Sequence, residues 1–185
     1  MIDDYLQDAR DRMHKSVEST RGSFTSVRTG RASPGLLDRI VVEYYGTQTP
    51  LKQMATVNAP EARLLTIQPY DKSSMKSIER AIQESDLGLT PNNDGSIIRL
   101  QIPDMTEERR REMVKVARHL AEEGRVAIRN VRRDVMHDLR ELRDAGEIGS
   151  DDEHRGEQAL QKVTDERIAD IDAALKAKEA EILEV

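Results

Sequence analysis

A helical pattern about 40 residues long constrains this chain more than any other part of its sequence. From Thr106 to Ala145 the apolar residues recur at spacings of three and four, which is the period of one face of an α-helix. A helix of this length extends about 60 Å and cannot bury its apolar stripe alone. Periodic stretches this long are typical of coiled coils and bundles, so the pattern predicts a helical bundle.

Side chains of different character are sorted onto three faces of this predicted helix. The apolar face carries Met113, Ala117, Leu120, Gly124, Ile128, Val131, Val135, Leu139 and Leu142. The cationic face carries Arg111, Lys115, Arg118, Arg125, Arg129, Arg132, Arg133 and Arg140. The remaining side carries Glu112, Glu123, Asp134 and Glu141. A glycine on the apolar face, Gly124, indicates close packing against a neighbouring helix rather than a functional role.

The cationic face is unusual because the whole chain has a formal net charge of −6. Between Arg109 and Arg133 there are nine basic residues and only three acids. A face that served only solubility or pairing within the helix would mix the two signs at a spacing of four. The sorting therefore favours a surface that binds a polyanion, and an ordinary solvated face is the alternative.

Two more helices complete the predicted bundle. The spacing of apolar residues predicts a first helix over Asp3–Arg28, after which Gly30 can adopt a left-handed cap conformation. A last helix starts at Ser150, where Ser150 and Glu153 have the spacing of a capping box. Its connection to the preceding helix is short, so these two helices are expected to be antiparallel.

Between the first and second helices the sequence takes on the two-residue period of strands. The predicted strands are Ile40–Tyr45, Met54–Val57, Arg63–Gln68 and Ile97–Ile102, with one helix over Ser73–Ser85 that Asp71 or Ser73 can cap. Leu87–Gly95 is dense in turn formers and predicts a loop. The core of this region is expected to contain Ile40, Val42, Leu65, Ile67, Ile78, Ile82, Ile98 and Leu100.

The pattern as a whole predicts an α+β protein of two domains. A long antiparallel three-helix bundle is expected from residues 1–30 and 104–185, with a small β/α/β domain inserted at residues 31–103. Only two chain crossings join them, so relative motion of the domains is the expected default. The residues predicted to form the hinge are Thr29, Gly30, Arg31, Ala32, Ser33, Pro34, Pro103 and Asp104.

The sequence lacks the residue patterns of a catalytic site or a metal site. The absence of cysteine excludes disulfides, thiol catalysis and cysteine zinc sites. The four histidines have no metal-ligand spacing and are expected at the surface, and neither a phosphate loop nor a nucleophile elbow occurs. No apolar run is long enough for a signal peptide or a membrane span, which makes the cytoplasm the expected location. We therefore expect a protein that is not an enzyme and needs no cofactor or metal.

Five motifs distributed along the chain carry a resemblance to a known family. They are Val27–Pro34 (VRTGRASP), Val42–Gly46 (VEYYG), Ser85–Leu89 (SDLGL), Leu100–Pro103 followed by Thr106–Arg110 (LQIP and TEERR), and Val126–Asp134 (VAIRNVRRD). With these motifs the chain resembles the bacterial ribosome recycling factor family. The likeness spans the whole length, and it is most specific in the paired motifs around Arg28–Arg31 and Arg129–Arg133. The acidic last helix is similar by pattern more than by residue.

The resemblance implies an L-shaped monomer that binds the large ribosomal subunit after termination. It also implies that the protein acts with elongation factor G, which hydrolyses GTP, to split the ribosome into subunits for reuse. In that family the bundle contacts ribosomal RNA and the inserted domain moves. The leading candidates for RNA contacts are Arg28, Arg31, Arg129 and Arg132, with further candidates at Arg110, Arg118, Arg125 and Arg133. A cytoplasmic coiled-coil adaptor or chaperone that binds protein partners through its helix faces is the alternative.

Overall fold

A computed structural model describes residues 1–184 of the chain. In chain order its helices are α1 (Ile2–Phe24), α2 (Leu51–Met54), α3 (Met75–Gln83), α4 (Glu107–Asp144) and α5 (Ser150–Leu183). Its strands are β1 (Val41–Tyr44), β2 (Thr47–Pro50), β3 (Ala55–Glu61), β4 (Leu64–Pro69), β5 (Pro91–Asn93) and β6 (Ile98–Gln101). Short 3₁₀ turns lie at Pro34–Leu37 and Lys72–Ser74. The α+β class predicted from the sequence is confirmed.

The chain divides into two compact units. The first consists of Met1–Val27 and the chain from Arg110 onward, and the second is Arg28–Arg109. The division thus falls after residue 27 and after residue 109, rather than after residues 30 and 103 as the sequence pattern suggested. Contacts inside the second unit explain the shift. Arg28 donates a hydrogen bond to the Asp86 carbonyl oxygen at 2.8 Å, and the side chain of Met105 lies against Gly30.

In the first unit α1, α4 and α5 pack side by side, and their contacts fix their directions. Arg12 of α1 pairs with Asp134 of α4 at 2.7 Å, and Arg118 of α4 pairs with Glu179 of α5 at 2.6 Å. Gly124 of α4 faces both Thr20 of α1 and Ile171 of α5. Along α4, increasing residue numbers therefore meet decreasing numbers on both partners, so α4 is antiparallel to α1 and α5. The interpretation of Gly124 as a packing residue is confirmed.

Helix α1 ends at Phe24, four residues before the end predicted from the sequence. Two side chains explain this early end, because the Thr25 hydroxyl donates to the Gly22 carbonyl at 2.6 Å and the Ser26 hydroxyl donates to the Ser23 carbonyl at 2.7 Å. Serine and threonine compete in this way with the helical hydrogen bonds of the backbone. Gly30 does have a left-handed φ of +77°, but it lies beyond the helix rather than at its cap.

Helix α4 begins where the sequence predicts it, because the Thr106 hydroxyl accepts a hydrogen bond from the Arg109 amide at 3.1 Å. Its apolar face is almost as predicted. Ala121 is also completely buried, whereas Leu120 and Leu142 are only half-buried. A helix that packs against two neighbouring helices buries a wider stripe of its surface than a helix that packs against one. This explains why Ala121 is buried although it lies outside the predicted apolar face.

The capping box predicted at the start of α5 is not formed. Gly149 occupies the cap position and Ser150 is already helical, with no side-chain cap hydrogen bond. Glu153, the expected partner of Ser150, is instead 6% exposed and accepts a hydrogen bond from Arg143 of α4 at 2.7 Å. The Glu153 carboxylate is thus engaged in a charge-assisted hydrogen bond with Arg143 instead of reaching back to the backbone at the helix start.

The second unit contains two antiparallel sheets. β1 and β2 form a hairpin in which Tyr44 pairs with Thr47, and the other four strands have the order β3-β4-β6-β5. The sequence patterns predicted β1, β3, β4 and β6 but missed β2 and β5. β5 lies inside the stretch interpreted as a loop, and Asn92 pairs there with Arg99.

One apolar cluster forms the core of the second unit. All eight residues predicted for it are buried, and Leu37, Leu51, Met54, Ala55, Met75 and Ile102 join them. Asp71 caps the 3₁₀ turn Lys72–Ser74, because it accepts a hydrogen bond from the Ser73 amide at 2.9 Å, and it accepts another from the Tyr44 hydroxyl at 2.8 Å. It does not cap α3 itself, as the sequence predicted, because the turn intervenes and Ser74 takes the cap position of α3 without a side-chain hydrogen bond.

Candidate nucleic-acid interface

Helix α4 presents most of the arginines that the sequence predicts as RNA contacts. The long helix holds Arg118, Arg125, Arg129, Arg132 and Arg133 on rigid backbone of the first unit. Arg110 lies near its N-terminal end, where its Nε is buried without a hydrogen-bond partner among residues 1–184. The surroundings of these side chains differ along the helix and divide them into two groups.

The first group is paired with carboxylates. Arg118 donates to Glu179 of α5 at 2.6 Å. Arg125 lies between Asp172 of α5 at 2.6 Å and Glu122 at 3.1 Å. The expectation of a face sorted cleanly by sign is therefore wrong for this part of α4, because acids of α5 reach across to it.

The same carboxylate of Glu122 also accepts from Arg129, again at 3.1 Å. Hydrogen bonds from Arg125 and then Arg129 lower the pKa of Glu122. Burial alone would lower the pKa of Arg125, but its bonds to Asp172 and Glu122 outweigh burial and the pKa is raised. Glu122 and Arg125 therefore keep their charges at neutral pH, and the positive charge of this stretch is largely balanced locally.

The second group has no such partners within residues 1–184. Among the described residues, Arg132, Arg133 and Arg140 make no hydrogen bond or ion pair. Arg132 is half-buried and its Nε is enclosed without an acceptor, whereas Arg133 and Arg140 are exposed. These guanidinium groups retain donors for an external anion, and arginine offers them in a planar fork that suits phosphate.

A surface concavity lies over this second group. It is lined by Arg129, Arg132, Arg133, Asp134, Met136, His137, Asp138 and Arg140. Five of these eight side chains carry or can carry positive charge, and Asp134 is already paired with Arg12 of α1. The concavity can therefore hold an anionic group against several donors, which is the arrangement that phosphate contacts require.

Arg28 and Arg31 belong to the second unit. The Arg28 guanidinium donates to the Asp86 carbonyl, and the Arg31 amide lies 3.4 Å from the Thr29 hydroxyl. Both side chains are exposed. Their contact with RNA stays a prediction, as do the RNA contacts predicted for the arginines of α4, which are Arg110, Arg118, Arg125, Arg129, Arg132 and Arg133.

Much of the predicted hinge is held by bonds within the second unit. The Ala32 amide donates to the Ala62 carbonyl at 2.7 Å, and Asp104 pairs with Arg63. The Ser33 hydroxyl caps the turn that begins at Pro34. These bonds hold Ala32, Ser33 and Asp104 within the second unit. Motion at the predicted hinge stays a prediction.

The described residues contain neither a metal-ligand cluster nor a candidate membrane span. The four histidines, His14, His119, His137 and His154, are all exposed, which confirms their expected place at the surface. In residues 1–184 no group of three or more acidic, histidine or cysteine side chains is placed to hold a metal ion. No helix of the described chain is both long and apolar enough to cross a bilayer.

Comparison with known proteins agrees with these features. The family model described as ribosome recycling factor matches residues 20–183. The ribosome-recycling factor of Rubrobacter xylanophilus is 61% identical over 180 residues, which cover 97% of each chain. That of Carboxydothermus hydrogenoformans is 54% identical over 185 residues, with complete coverage of both.

Solved structures give the same result. A solution structure of the ribosome recycling factor is 40% identical and superposes with a TM-score of 0.81, covering 100% of this chain and 98% of that one. Models of the T. thermophilus ribosome recycling factor and E. coli elongation factor G bound to the E. coli post-termination complex include a chain 44% identical to this one. It superposes with a TM-score of 0.70 over the full length of both chains. Because sequence and fold agree over nearly every residue, the chain belongs to the ribosome recycling factor family.

Proposed function

We propose that this protein binds the post-termination ribosome and, with elongation factor G and GTP, separates it into subunits that can be reused in the cytoplasm. The family membership supports the recycling role. The unpartnered cluster of Arg132, Arg133 and Arg140 on α4 is the observation that carries the binding step. Arginines without internal carboxylates can exchange water and counterions for phosphate without first breaking an ion pair.

The protein contributes binding and shape to this process rather than bond chemistry. The first unit supplies a rigid cationic helix for the RNA of the large subunit. The second unit, attached by two chain crossings, is proposed to move when elongation factor G engages it. Hydrolysis of GTP is assigned to elongation factor G.

Arg132 is the residue whose loss tests the binding step most directly. We expect Arg132→Ala to weaken binding to large ribosomal subunits by about 1.5–3 kcal/mol, because a desolvated, charge-assisted bond to phosphate is removed. Arg132→Lys should recover only part of this loss, since an ammonium cannot make a forked contact. Arg155→Ala is a matched control, because Arg155 is an exposed arginine of α5 already paired with Asp152.

Ionic strength distinguishes RNA binding from the adaptor alternative. Phosphate contacts release counterions, so the affinity for ribosomes should fall steeply as salt rises. Docking of a protein partner onto an apolar helix face should change little. Unchanged affinity of Arg132→Ala, with normal helicity, would contradict the assigned contact.

Subunit release tests the complete function. Post-termination ribosomes are incubated with this protein, elongation factor G and GTP, and free subunits are measured by sedimentation. We expect free subunits only when all three components are present. Intact ribosomes under these conditions, despite tight binding, would show that the protein binds but does not split them.

A further inference from the structure

We propose that Gln161 of α5 keeps Arg132 of α4 available for RNA by holding the Asp165 carboxylate away from it. This inference rests on the proposed RNA-binding function. Helix α5 carries none of the predicted RNA contacts, and the inference gives it a positioning role for an arginine on the neighbouring helix.

Two ion pairs join α4 to α5 in a regular pattern. Arg118 pairs with Glu179 at 2.6 Å, and Arg125 pairs with Asp172 at 2.6 Å. Seven residues make about two turns of helix, so the two arginines lie on nearly the same face of α4. Because the helices are antiparallel, seven residues forward on α4 correspond to seven residues backward on α5.

The third position of this pattern places Arg132 opposite Asp165, but no ion pair forms there. Arg132 makes no hydrogen bond or ion pair among the described residues, and its Nε is enclosed without an acceptor. Asp165 instead accepts a hydrogen bond from the side-chain amide of Gln161 at 2.8 Å. Glutamine and aspartate four residues apart form such bonds along one face of a helix.

Helix geometry explains why the third pair is open. Seven residues fall short of two full turns, so a face that repeats every seven residues drifts by about 20° per repeat. The arginines drift towards the interior, from 64% exposed at Arg118 to 19% at Arg125. The acids drift towards solvent, from 24% exposed at Glu179 to 53% at Asp172. The third pair accordingly has a half-buried arginine and an exposed acid.

The hydrogen bond from Gln161 keeps this pair open. It is the single partner of Asp165 within residues 1–184. Without this donor the carboxylate is free to turn towards the unpaired Arg132. A paired Arg132 would have to give up a carboxylate before it contacts a phosphate, and this lowers the affinity of every ligand that uses it.

Gln161→Leu tests the inference in the full-length protein, with Gln158→Leu as the matched control. Both changes remove a side-chain amide from α5, but Gln158 shares its hydrogen bond with His154 rather than with an acid. Affinity is measured for large ribosomal subunits at low salt. We expect Gln161→Leu to bind about two- to fivefold more weakly, which corresponds to breaking one exposed ion pair. Gln158→Leu should bind as wild type does.

Asp165→Asn separates competition for Arg132 from other effects of the substitution. The loss of affinity should vanish when Gln161→Leu is combined with Asp165→Asn, because the competing charge is gone. Damage to the helix, or loss of a direct contact between Gln161 and RNA, would persist in the double variant and would overturn the proposal. Asp165→Asn alone should bind at least as tightly as wild type.

Nuclear magnetic resonance observes Arg132 without RNA. Its guanidinium proton signals are assigned by their absence in Arg132→Lys. In Gln161→Leu they should move downfield as a bond to Asp165 forms, and in the double variant they should return to their wild-type positions. Unchanged signals or unchanged affinity in Gln161→Leu would overturn the proposal, because the released carboxylate would then stay with α5, for example beside Lys162.

Failure of the proposed function itself gives a different result. Neither wild type nor any variant would then show salt-dependent binding to large subunits, and Arg132→Ala would change nothing. The claim that Gln161 serves RNA binding would fall with that function. The resonance comparison would still show whether Gln161 separates Asp165 from Arg132, so the two failures are distinguishable.

Discussion

The two compact units are stabilised by different kinds of interior. The second unit concentrates large aliphatic side chains in one cluster, where Leu65, Ile78 and Ile82 are completely buried. The first unit also buries leucine and isoleucine, but one of its close helix contacts is made by Gly124, which faces Thr20.

This difference shows which changes each unit can tolerate. An interior filled by large side chains loses stability when volume is removed, because a cavity remains. A helix contact in which only the hydrogen atom of a glycine side chain fits loses stability when a larger side chain is introduced. Substitutions that remove side-chain volume should therefore be most harmful in the second unit. Substitutions that add side-chain volume should be most harmful at the Gly124 contact of the first unit.

The largest expected effect is that of Ile82→Ala in the second unit. Removing most of a completely buried isoleucine should lower the free energy of unfolding of that unit by about 2–5 kcal/mol. Three of the four tyrosines, Tyr44, Tyr45 and Tyr70, lie in the second unit, whereas the long helices dominate the far-ultraviolet circular dichroism.

The measurement compares these two signals during urea unfolding. In Ile82→Ala the tyrosine transition should move to lower urea, while the helical transition stays in place. Val41→Ala is the control, because Val41 lies on a strand of the same unit but is 47% exposed. If both signals shifted together, the units would unfold as one and the comparison between them would lose its basis.

Gly124→Ala should produce the next largest effect, and in the opposite unit. The added methyl group would lie 2.8 Å from Ile171 Cδ1 and would overlap the Thr20 hydroxyl. We expect a loss of about 1–3 kcal/mol from overpacking, measured by the helical signal in urea.

Gly22→Ala is the matched control for this substitution. Gly22 is exposed in α1, and nothing lies within 4 Å of a methyl group added there. The better helix propensity of alanine should stabilise α1 by up to about 1 kcal/mol. If Gly124→Ala were as stable as Gly22→Ala, close packing at Gly124 would not limit the bundle.

The sequence predicts best those features that repeat. The long helices follow from apolar periodicity. Six of the eight predicted core residues of the second unit follow from the alternation of strands, and the other two, Ile78 and Ile82, follow from the spacing on α3. Features set by one or two competing side-chain hydrogen bonds were missed, as at Phe24, where the helix ends early, and at Ser150, where no cap forms. β2 and β5 were missed because TQTP and PNN lack the β-branched run that indicates a strand and depend on pairing with a neighbour.

The candidate interface was only half predictable for a related reason. The position of each arginine on α4 follows from helix geometry. Which arginines are neutralised depends on the register of α5, which places Asp172 and Glu179 against Arg125 and Arg118. Glu122 could have been found, because it precedes Arg125 by three residues, a spacing that brings side chains together on a helix.

Gly30→Val tests whether the function of the protein depends on motion of the second unit about the predicted hinge. Gly30 has a φ of +77°, and Met105 leaves ordinary van der Waals space beside it, so the penalty comes from the backbone conformation. We expect a loss of about 1–2 kcal/mol in the second unit. Helical unfolding and ribosome binding should stay unchanged, while subunit release with elongation factor G falls.

Gly35→Ala is the matched control. Gly35 is a nearby glycine without a positive φ, and no atom lies closer than 3.5 Å to a methyl group added there. Labels on the two units would report their separation with and without elongation factor G. Normal recycling by Gly30→Val, or one fixed separation in both conditions, would contradict the hinge.

The smallest expected effect is that of Tyr44→Phe, which sharpens the comparison by testing a polar contact beside the apolar core of the second unit. The Tyr44 hydroxyl donates to Asp71, and this bond, followed by desolvation, raises the pKa of Tyr44 to about 12. A raised pKa in the folded state means that the contribution to stability is complete below the unfolded pKa near 10 and is lost as pH rises towards 12. The pKa of Asp71 is lowered, by Ser73 first and Tyr44 second, so its contribution is lost only as pH falls below about 4. The bond should therefore add constant stability across neutral pH.

Tyrosinate absorbance of the folded protein should show one late-titrating tyrosine that disappears in Tyr44→Phe but persists in Tyr70→Phe, since Tyr70 is 70% exposed. If the late titration survived in Tyr44→Phe, the Tyr44–Asp71 bond would contribute nothing in solution, and the second unit would depend on its apolar core alone.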